Sequence, residues 1–122
     1  MMKSLLIVAH GSRRESSNEE VRKLAEQIRS MQDLAVDEVT TAFLELAEPS
    51  IPAGLEACIQ RGASEVLVFP YFLAAGRHVV EDIPAEIGPV QEKYPAVRVS
   101  IAPHLGMATE LPALIAASTL QK

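Results

Sequence analysis

Short segments rich in apolar and β-branched residues alternate along this chain with longer segments whose apolar residues recur at helical spacing. Such short segments are typical of strands covered on both faces of a sheet. We predict four strands: Leu5–Ala9, Val36–Leu44, Glu65–Phe69 and Val97–Ala102. Each is followed by a helical pattern, so the fold class is α/β, a four-stranded parallel sheet with helices on both faces. Right-handed crossovers favour the doubly wound strand order 2-1-3-4, with strands one and three at the switch point.

Capping residues and prolines mark where the helices begin and where chain segments leave the sheet. We predict helix starts at Ser16–Glu19, Glu48–Ser50 and Asp82–Pro84, and a last helix over Thr109–Leu120. Because proline cannot donate to a ladder, Pro70–Gly76 is expected to be an apolar loop. Gly88–Pro89 is expected to kink or break the third helix.

Length and composition predict one compact domain, residues 1–122, with 48% apolar and 22% charged residues. The net charge of −5 and the absence of Trp argue against a nucleic-acid partner. No stretch has the length of a signal-peptide core or a membrane span, so we expect a cytoplasmic protein without a membrane partner. The single cysteine, Cys58, excludes an internal disulfide and a Cys-based zinc site.

Histidines follow the predicted strands at what should be a single edge of the sheet. His10 follows strand one, His78 lies beyond strand three, and Glu45 ends strand two. Because ligands of open α/β sheets bind at the carboxyl edge beside the switch point, we expect these three side chains to meet. Imidazole binds divalent transition metals and moves protons near neutral pH. A single histidine in a loop is hydrogen-bonded to backbone about as often as it has a functional role. His104, which follows strand four, is expected to matter less than His10 and His78.

Four motifs occur in order along the whole chain. They are Val8–Arg13; Phe43–Glu45 with Pro49–Ile51; Phe69–Val79 with Asp82–Pro84; and Pro103–Gly106. In these motifs the chain strongly resembles the small single-domain sirohydrochlorin chelatases, the class II chelatases of cobalamin and siroheme synthesis. The resemblance implies a flavodoxin-like half-unit of a class II chelatase. It also implies a lyase that inserts Co²⁺ or Fe²⁺, with Ni²⁺ as a third candidate, into a tetrapyrrole without ATP or another nucleotide.

The resemblance also implies roles for individual residues. His10 and His78 would bind the metal together with Glu45, and the histidines would accept pyrrole protons. The expected tetrapyrrole contacts are Arg13 and Arg77 for its carboxylates, Gly11 and Ser12 in the first histidine loop, and Tyr71, Phe72 and Leu73 over the macrocycle or in a dimer interface. Longer members of this family are fused duplications, so the short form is expected to be a homodimer.

Several of these residues also have a purely structural interpretation. Ser12 has no adjacent base and is expected to be a loop or capping hydroxyl. Arg14 also borders the first histidine loop, but beside Glu15 it is as readily a solvated surface charge as a ligand for a substrate carboxylate. Gly11 and Gly76 are expected to permit a close backbone approach or a positive φ.

A second hypothesis rests on the residues alone. The chain could be a non-catalytic, flavodoxin-like module that binds a metal or a small anion for delivery or regulation. A nucleotide-binding version is disfavoured because the sequence has no Gly-rich phosphate loop. The choice between cobalt, iron and nickel stays open, since the order of ligand affinities does not set metal use in cells.

Overall fold

The computed structural model describes residues 2–120, which form one parallel sheet and its connecting helices. The strands are β1 (Met2–Ala9), β2 (Glu38–Phe43), β3 (Ala63–Pro70) and β4 (Arg98–Ile101). The α-helices are α1 (Glu15–Arg29), α2 (Ile51–Gln60), α3 (Ile83–Lys93) and α4 (Leu111–Ala117). The strand order is β2-β1-β3-β4 with every pairing parallel, which confirms the predicted sheet. None of the helices within residues 2–120 has the length and apolar character needed to cross a membrane.

Both faces of β1 are covered, which explains its continuous apolar sequence. Leu6 and Val8 point to the face packed by α2 and α3, where Leu55, Ile83 and Ile87 complete the core. On the opposite face, Ile7, Ala9, Val39 and Phe43 pack with Val21 and Ala25 of α1. These two layers hold the carboxyl ends of β1, β2 and β3 side by side at one edge of the sheet.

Two proline-based expectations hold only in part: Pro70 belongs to a strand although residues 71–76 form the predicted loop, and the predicted break of α3 at Pro89 is absent. Pro70 is the last residue of β3, in register with Val8, whereas the sequence pattern predicts a loop from this residue onward. The strand tolerates it because the N–H of Tyr71 donates to the Val8 carbonyl at 2.8 Å, while β4 already ends opposite Val68. Helix α3 runs without a break through Pro89. Three of its residues are buried (Ile83, Ile87 and Val90), and this packing outweighs the roughly 3 kcal/mol that an interior proline costs a helix.

The ends of the first and last helices also differ from the prediction. Helix α1 begins at Glu15, and Arg14 occupies the N-cap position without a side-chain hydrogen bond, so Ser16–Glu19 is not the cap. The last helix covers Leu111–Ala117 and continues as a 3₁₀ turn over Ser118–Leu120. None of the residues of α4 is buried, so among the α-helices within residues 2–120 it is α1 that supplies the buried core on that face of the sheet.

Candidate metal centre

His10 and His78 lie next to each other at the carboxyl edge of the sheet. Their ring centroids are 4.8 Å apart, with the rings inclined at 67°. His10 directly follows β1, and His78 is the first residue of a π-helical turn, His78–Asp82, that leads into α3. Their side chains are 39% and 46% exposed, so a ligand can reach both imidazoles from solvent. The expected meeting of the two histidines is therefore present in the structure.

Backbone pairing beyond the strand ends positions Glu45 against His10. The N–H of Leu44 donates to the Ala9 carbonyl at 2.9 Å, and the N–H of Glu45 donates to the His10 carbonyl at 3.0 Å. The parallel register of β1 and β2 thus continues for two residues into the loops. As a result, Glu45 Oε2 lies 3.2 Å from His10 Nε2.

The hydrogen bonds of His10 leave room for a cation. His10 Nδ1 lies 3.0 Å from the Gly11 carbonyl, so this nitrogen carries the proton and donates to it. In a neutral ring the Nε2 lone pair then faces the Glu45 carboxylate, and two acceptors oppose each other. Either a proton or a metal ion at Nε2 resolves this conflict. The His10–Glu45 pair is therefore suited to exchange a proton for a divalent cation.

A second carboxylate orients His78. His78 Nδ1 lies 2.8 Å from Asp82 Oδ2, one turn along the chain, so the ring donates to the carboxylate and keeps the Nε2 lone pair free. Carboxylates in this position fix the tautomer and the orientation of metal-binding histidines. Phe72 flanks the same ring, with centroids 6.4 Å apart at 30°. From the sequence, Asp82 is predicted only to mark a helix start, although its spacing of four residues from His78 is a usable signal for this role.

Gly11 and Asn18 hold the loop after His10 in place. Gly11 has a φ of +94°, and a Cβ there would lie 1.7 Å from the Glu45 carbonyl oxygen, which confirms that both the backbone angle and the close approach require glycine. Asn18 of α1 is 2% exposed and bonds both backbone groups of Ser12 at 2.9 Å. The sequence pattern does not predict this role of Asn18. Its signal is a polar residue in line with the buried Val21 and Ala25.

The remaining residues of the two histidine loops are more exposed. Ser12 Oγ accepts from the N–H of Arg14 at 3.0 Å, as expected of a loop hydroxyl. Arg13 is exposed at the same rim, and Arg77 is 80% exposed with its guanidinium 3.7 Å from Glu81. The expectation for Gly76 is wrong, because nothing lies within 4 Å of a Cβ there and its φ is not positive.

Not every predicted site residue gathers around the two histidines. Leu73 is 69% exposed at the rim. Tyr71 lines an apolar groove on the α1 face, together with Ile7 and Leu24. His104 borders a separate cavity beside Phe69.

The charge around the two histidines is acidic, and the ligands are few. A cavity of about 260 Å³ is lined by Leu44, Glu45, His78, Asp82, Ala85 and Glu86. Within residues 2–120, no group of three or more His, Cys, Asp or Glu side chains is placed to hold a metal ion together. The donors come instead as two histidine–carboxylate pairs with open coordination positions between them. Such an arrangement attracts a divalent cation and leaves space for a second ligand.

The protein is thus an α/β protein with a four-stranded parallel sheet and two facing histidine–carboxylate pairs at the switch point. The family model named CbiX matches residues 4–121, and the chain belongs to the CbiX family. A cobalamin (vitamin B12) biosynthesis CbiX protein from Marinobacter aquaeolei VT8 has the same fold, with a TM-score of 0.79 and 30% identity. That match covers 98% of this chain and 95% of the other.

Longer chelatases match over part of their length. The sirohydrochlorin chelatase SirB from Bacillus subtilis subspecies spizizenii, solved in complex with cobalt, has a TM-score of 0.86 and 31% identity, over 98% of this chain and 50% of SirB. The sirohydrochlorin ferrochelatase of Bacillus subtilis (strain 168) is 37% identical over 91% of this chain and 42% of its own length. The sirohydrochlorin cobaltochelatase of Methanocaldococcus jannaschii is 36% identical over 76% of this chain and 64% of its own. The chain thus spans about half the length of the curated relatives it matches.

Proposed function

We propose that this chain is a chelatase that inserts Co²⁺ or Fe²⁺ into sirohydrochlorin at the carboxyl edge of its sheet. The observation that carries the proposal is the pair of facing imidazoles, 4.8 Å apart, each with its own carboxylate. The names of the relatives support the substrate, since they are sirohydrochlorin ferrochelatases and cobaltochelatases. The SirB structure in complex with cobalt supports a transition metal as the second substrate.

The metal would bind first, between the two histidine–carboxylate pairs. Nε2 of His10, the carboxylate of Glu45 and Nε2 of His78 provide the donors, and the ring orientation of His78 is set by Asp82. Imidazole and carboxylate suit Fe²⁺ and Co²⁺, and binding requires both rings to be unprotonated at Nε2. Because these side chains do not form a closed cluster, a bound ion would keep coordination positions free for ring nitrogens of the tetrapyrrole.

Transfer of the metal would return the site to its protonated form. Insertion breaks two pyrrole N–H bonds as two metal–nitrogen bonds replace them, so two protons must be accepted. When the ion leaves, Nε2 of His10 and Nε2 of His78 each regain a free lone pair and take one proton each. For His10 the resulting imidazolium satisfies both the Gly11 carbonyl and the Glu45 carboxylate. The groups that hold the metal thus become the proton acceptors as it moves away.

Residues at the rim would bind the tetrapyrrole. Sirohydrochlorin carries eight carboxylates, and the net charge of the chain is −5, so local guanidinium groups are needed to hold it. Arg13 and Arg77 are exposed beside the two histidine loops and can form bidentate hydrogen bonds with carboxylates. Phe72 and the exposed Leu73 offer an apolar surface to the macrocycle.

We further propose that two copies of this chain form the working enzyme. The chain covers 50% of cobalt-bound SirB, and a single sheet leaves one side of the histidine site open to water. A two-fold symmetric dimer with both carboxyl edges facing a shared cleft would supply the missing half. Light scattering at micromolar concentration tests this, and a monomer with full chelatase activity would contradict it.

The activity is tested by following the absorption spectrum of sirohydrochlorin after anaerobic addition of Co²⁺ or Fe²⁺. We expect turnover by the native chain and a loss on the order of 100-fold or more for His10→Ala and His78→Ala. His104→Ala is the matched control, because this histidine lies outside the pair, and it should keep most of the rate. A chain that binds Co²⁺ but does not accelerate insertion would be a metal carrier, and the chelatase proposal would be wrong.

A further inference from the structure

Helix α4 is apolar, yet none of its residues is buried against the described part of its own chain. The sequence from Leu111 to Leu120 contains no charged side chain. Its large residues are nevertheless exposed, with Leu114 at 68%, Ile115 at 63% and Leu120 at 81%. Within the described residues, the only substantial packing partner of α4 is the turn that follows it. A helix that is apolar all round is normally a buried helix.

The same chain contains an apolar groove that no side chain of residues 2–120 fills. It lies on the α1 face of the sheet, has a volume of about 340 Å³, and is lined by Leu24 and Ile28 of α1 and by Ile7 and Phe69 of the strands. Leu105, just before α4, also lines it. In a doubly wound fold, the helix after the last strand returns over the sheet at this place. The groove therefore has the position and the chemistry of a seat for α4.

The connection between β4 and α4 is a hydrogen-bonded turn, and α4 leaves it without burying a residue in the groove. The N–H of Gly106 donates to the Phe72 carbonyl at 3.0 Å, and a Cβ on Gly106 would lie 1.7 Å from the Leu73 carbonyl oxygen. Met107 and Ala108 donate at 2.9 Å to the carbonyls of His104 and Leu105. The exit of the chain is thus a hydrogen-bonded turn fixed on the neighbouring loop, and the direction of α4 follows from it.

We propose that α4 of each chain occupies the apolar groove of a second copy, so that two chains exchange their last helices. Each chain supplies one exposed apolar helix and one apolar groove. Two copies related by a two-fold axis can therefore fill both grooves and leave neither helix exposed. Only residues 108–110 separate the fixed turn from α4, and three extended residues span about 10 Å. The carboxyl edges of the two copies must then lie close together. This inference builds on the proposed dimer and states how it is held, and its test does not require chelatase activity.

Cross-linking distinguishes exchanged from self-docked helices. In the double variant Leu24→Cys with Ile115→Cys, a flexible bis-maleimide should join α1 of one copy to α4 of the other. The expected product on a denaturing gel is a cross-linked dimer. A cross-linked monomer, in which one chain is closed on itself, would overturn the proposal. Cys58 is fully buried and does not compete for the reagent.

Co-expression of the two single variants gives an independent readout. Chains that carry only Leu24→Cys and chains that carry only Ile115→Cys should cross-link to each other, and mass spectrometry should find peptides joined through the two introduced thiols. Each single variant expressed alone is the control and should give little product. A dimer by light scattering without this peptide pair would keep the two-fold assembly but refute helix exchange. If the cysteine variants do not fold, Ile115→Asp replaces them: it should yield monomer, and an unchanged dimer would refute the proposal.

Discussion

Substitution of Gly11 by alanine should separate the geometry of the histidine site from its chemistry, since no donor group is removed. The new Cβ would lie 1.7 Å from the Glu45 carbonyl oxygen, and this contact has to open to at least 3.0 Å. The φ of +94° adds about 1–3 kcal/mol of backbone strain for a residue with a Cβ. The neighbour is backbone, so the strain cannot be relieved by a side-chain rotation.

The expected effect on activity follows from what the moving atoms carry. The Gly11 carbonyl accepts from His10, and the backbone of Glu45 is paired with that of His10. A shift on the order of 1 Å between His10 and Glu45 should lower the rate of metal insertion by about 100-fold. We also expect a loss of about 1–3 kcal/mol in the free energy of unfolding.

Gly76→Ala is the matched control, because nothing lies within 4 Å of a Cβ at that position. The assay is the initial rate of Co²⁺ insertion into sirohydrochlorin, with urea unfolding monitored by circular dichroism. We expect Gly76→Ala to match the native chain in both measurements. If Gly11→Ala has native rate and native stability, the argument that this loop fixes the His10–Glu45 pair is wrong.

Three further predictions concern single side chains. Asp82→Asn should weaken Co²⁺ binding about 10- to 100-fold, because the orienting charge on His78 is lost, and an unchanged titration would contradict this. The Arg61 guanidinium holds the pKa of the Glu38 carboxyl below its usual range, although desolvation opposes this shift. The pair therefore stabilises the fold fully above about pH 4.3, the pKa of glutamate in the unfolded chain. This stabilisation is lost as the pH falls through the lower pKa of Glu38 in the folded chain. Arg61→Gln should therefore lower the free energy of unfolding at pH 7 by about 1 kcal/mol at most, because Arg61 is partly exposed. The difference in stability between the variant and the native chain should become smaller below about pH 4. A loss of stability that does not depend on pH would refute this prediction. Burial raises the pKa of the Cys58 thiol, so Ellman's reagent should label it at pH 7 only after unfolding, and rapid labelling of the native chain would show otherwise.

The sheet and the pair of histidines could be predicted because both follow from rules that act along the sequence. The β-branched apolar segment up to Ala9 fixes a strand covered on both faces, and alternation with helices fixes parallel pairing. Once the order 2-1-3-4 is known, residues after the first and third strands must share an edge. The topology alone therefore predicts that His10 and His78 meet.

The features that the sequence did not predict depend on contacts between distant segments. Asn18 is a polar residue on a helix, and only the path of the loop after His10 shows that both Ser12 backbone groups need it. A proline inside a helix usually breaks or kinks it. Helix α3 nevertheless continues through Pro89, because three of its residues are buried against the sheet. Helix α4 has an ordinary helical pattern, and its lack of packing within the chain is visible only in three dimensions.

The way the donors are divided bears on how a cation could pass through this site. In His10 and Glu45 the two groups are held by the extended register of β1 and β2, whereas His78 and Asp82 lie on one turn before α3. Neither pair alone completes the four-ligand shell of a structural metal site, and the side chains of both histidines are more than one-third exposed. A metal ion bound between the pairs would keep open positions toward solvent. The resulting affinity is set by two imidazoles and nearby carboxylates, and it can be exceeded by four ring nitrogens of a tetrapyrrole. A closed site of four strong protein ligands would retain the ion, so an incomplete donor set is what metal transfer requires.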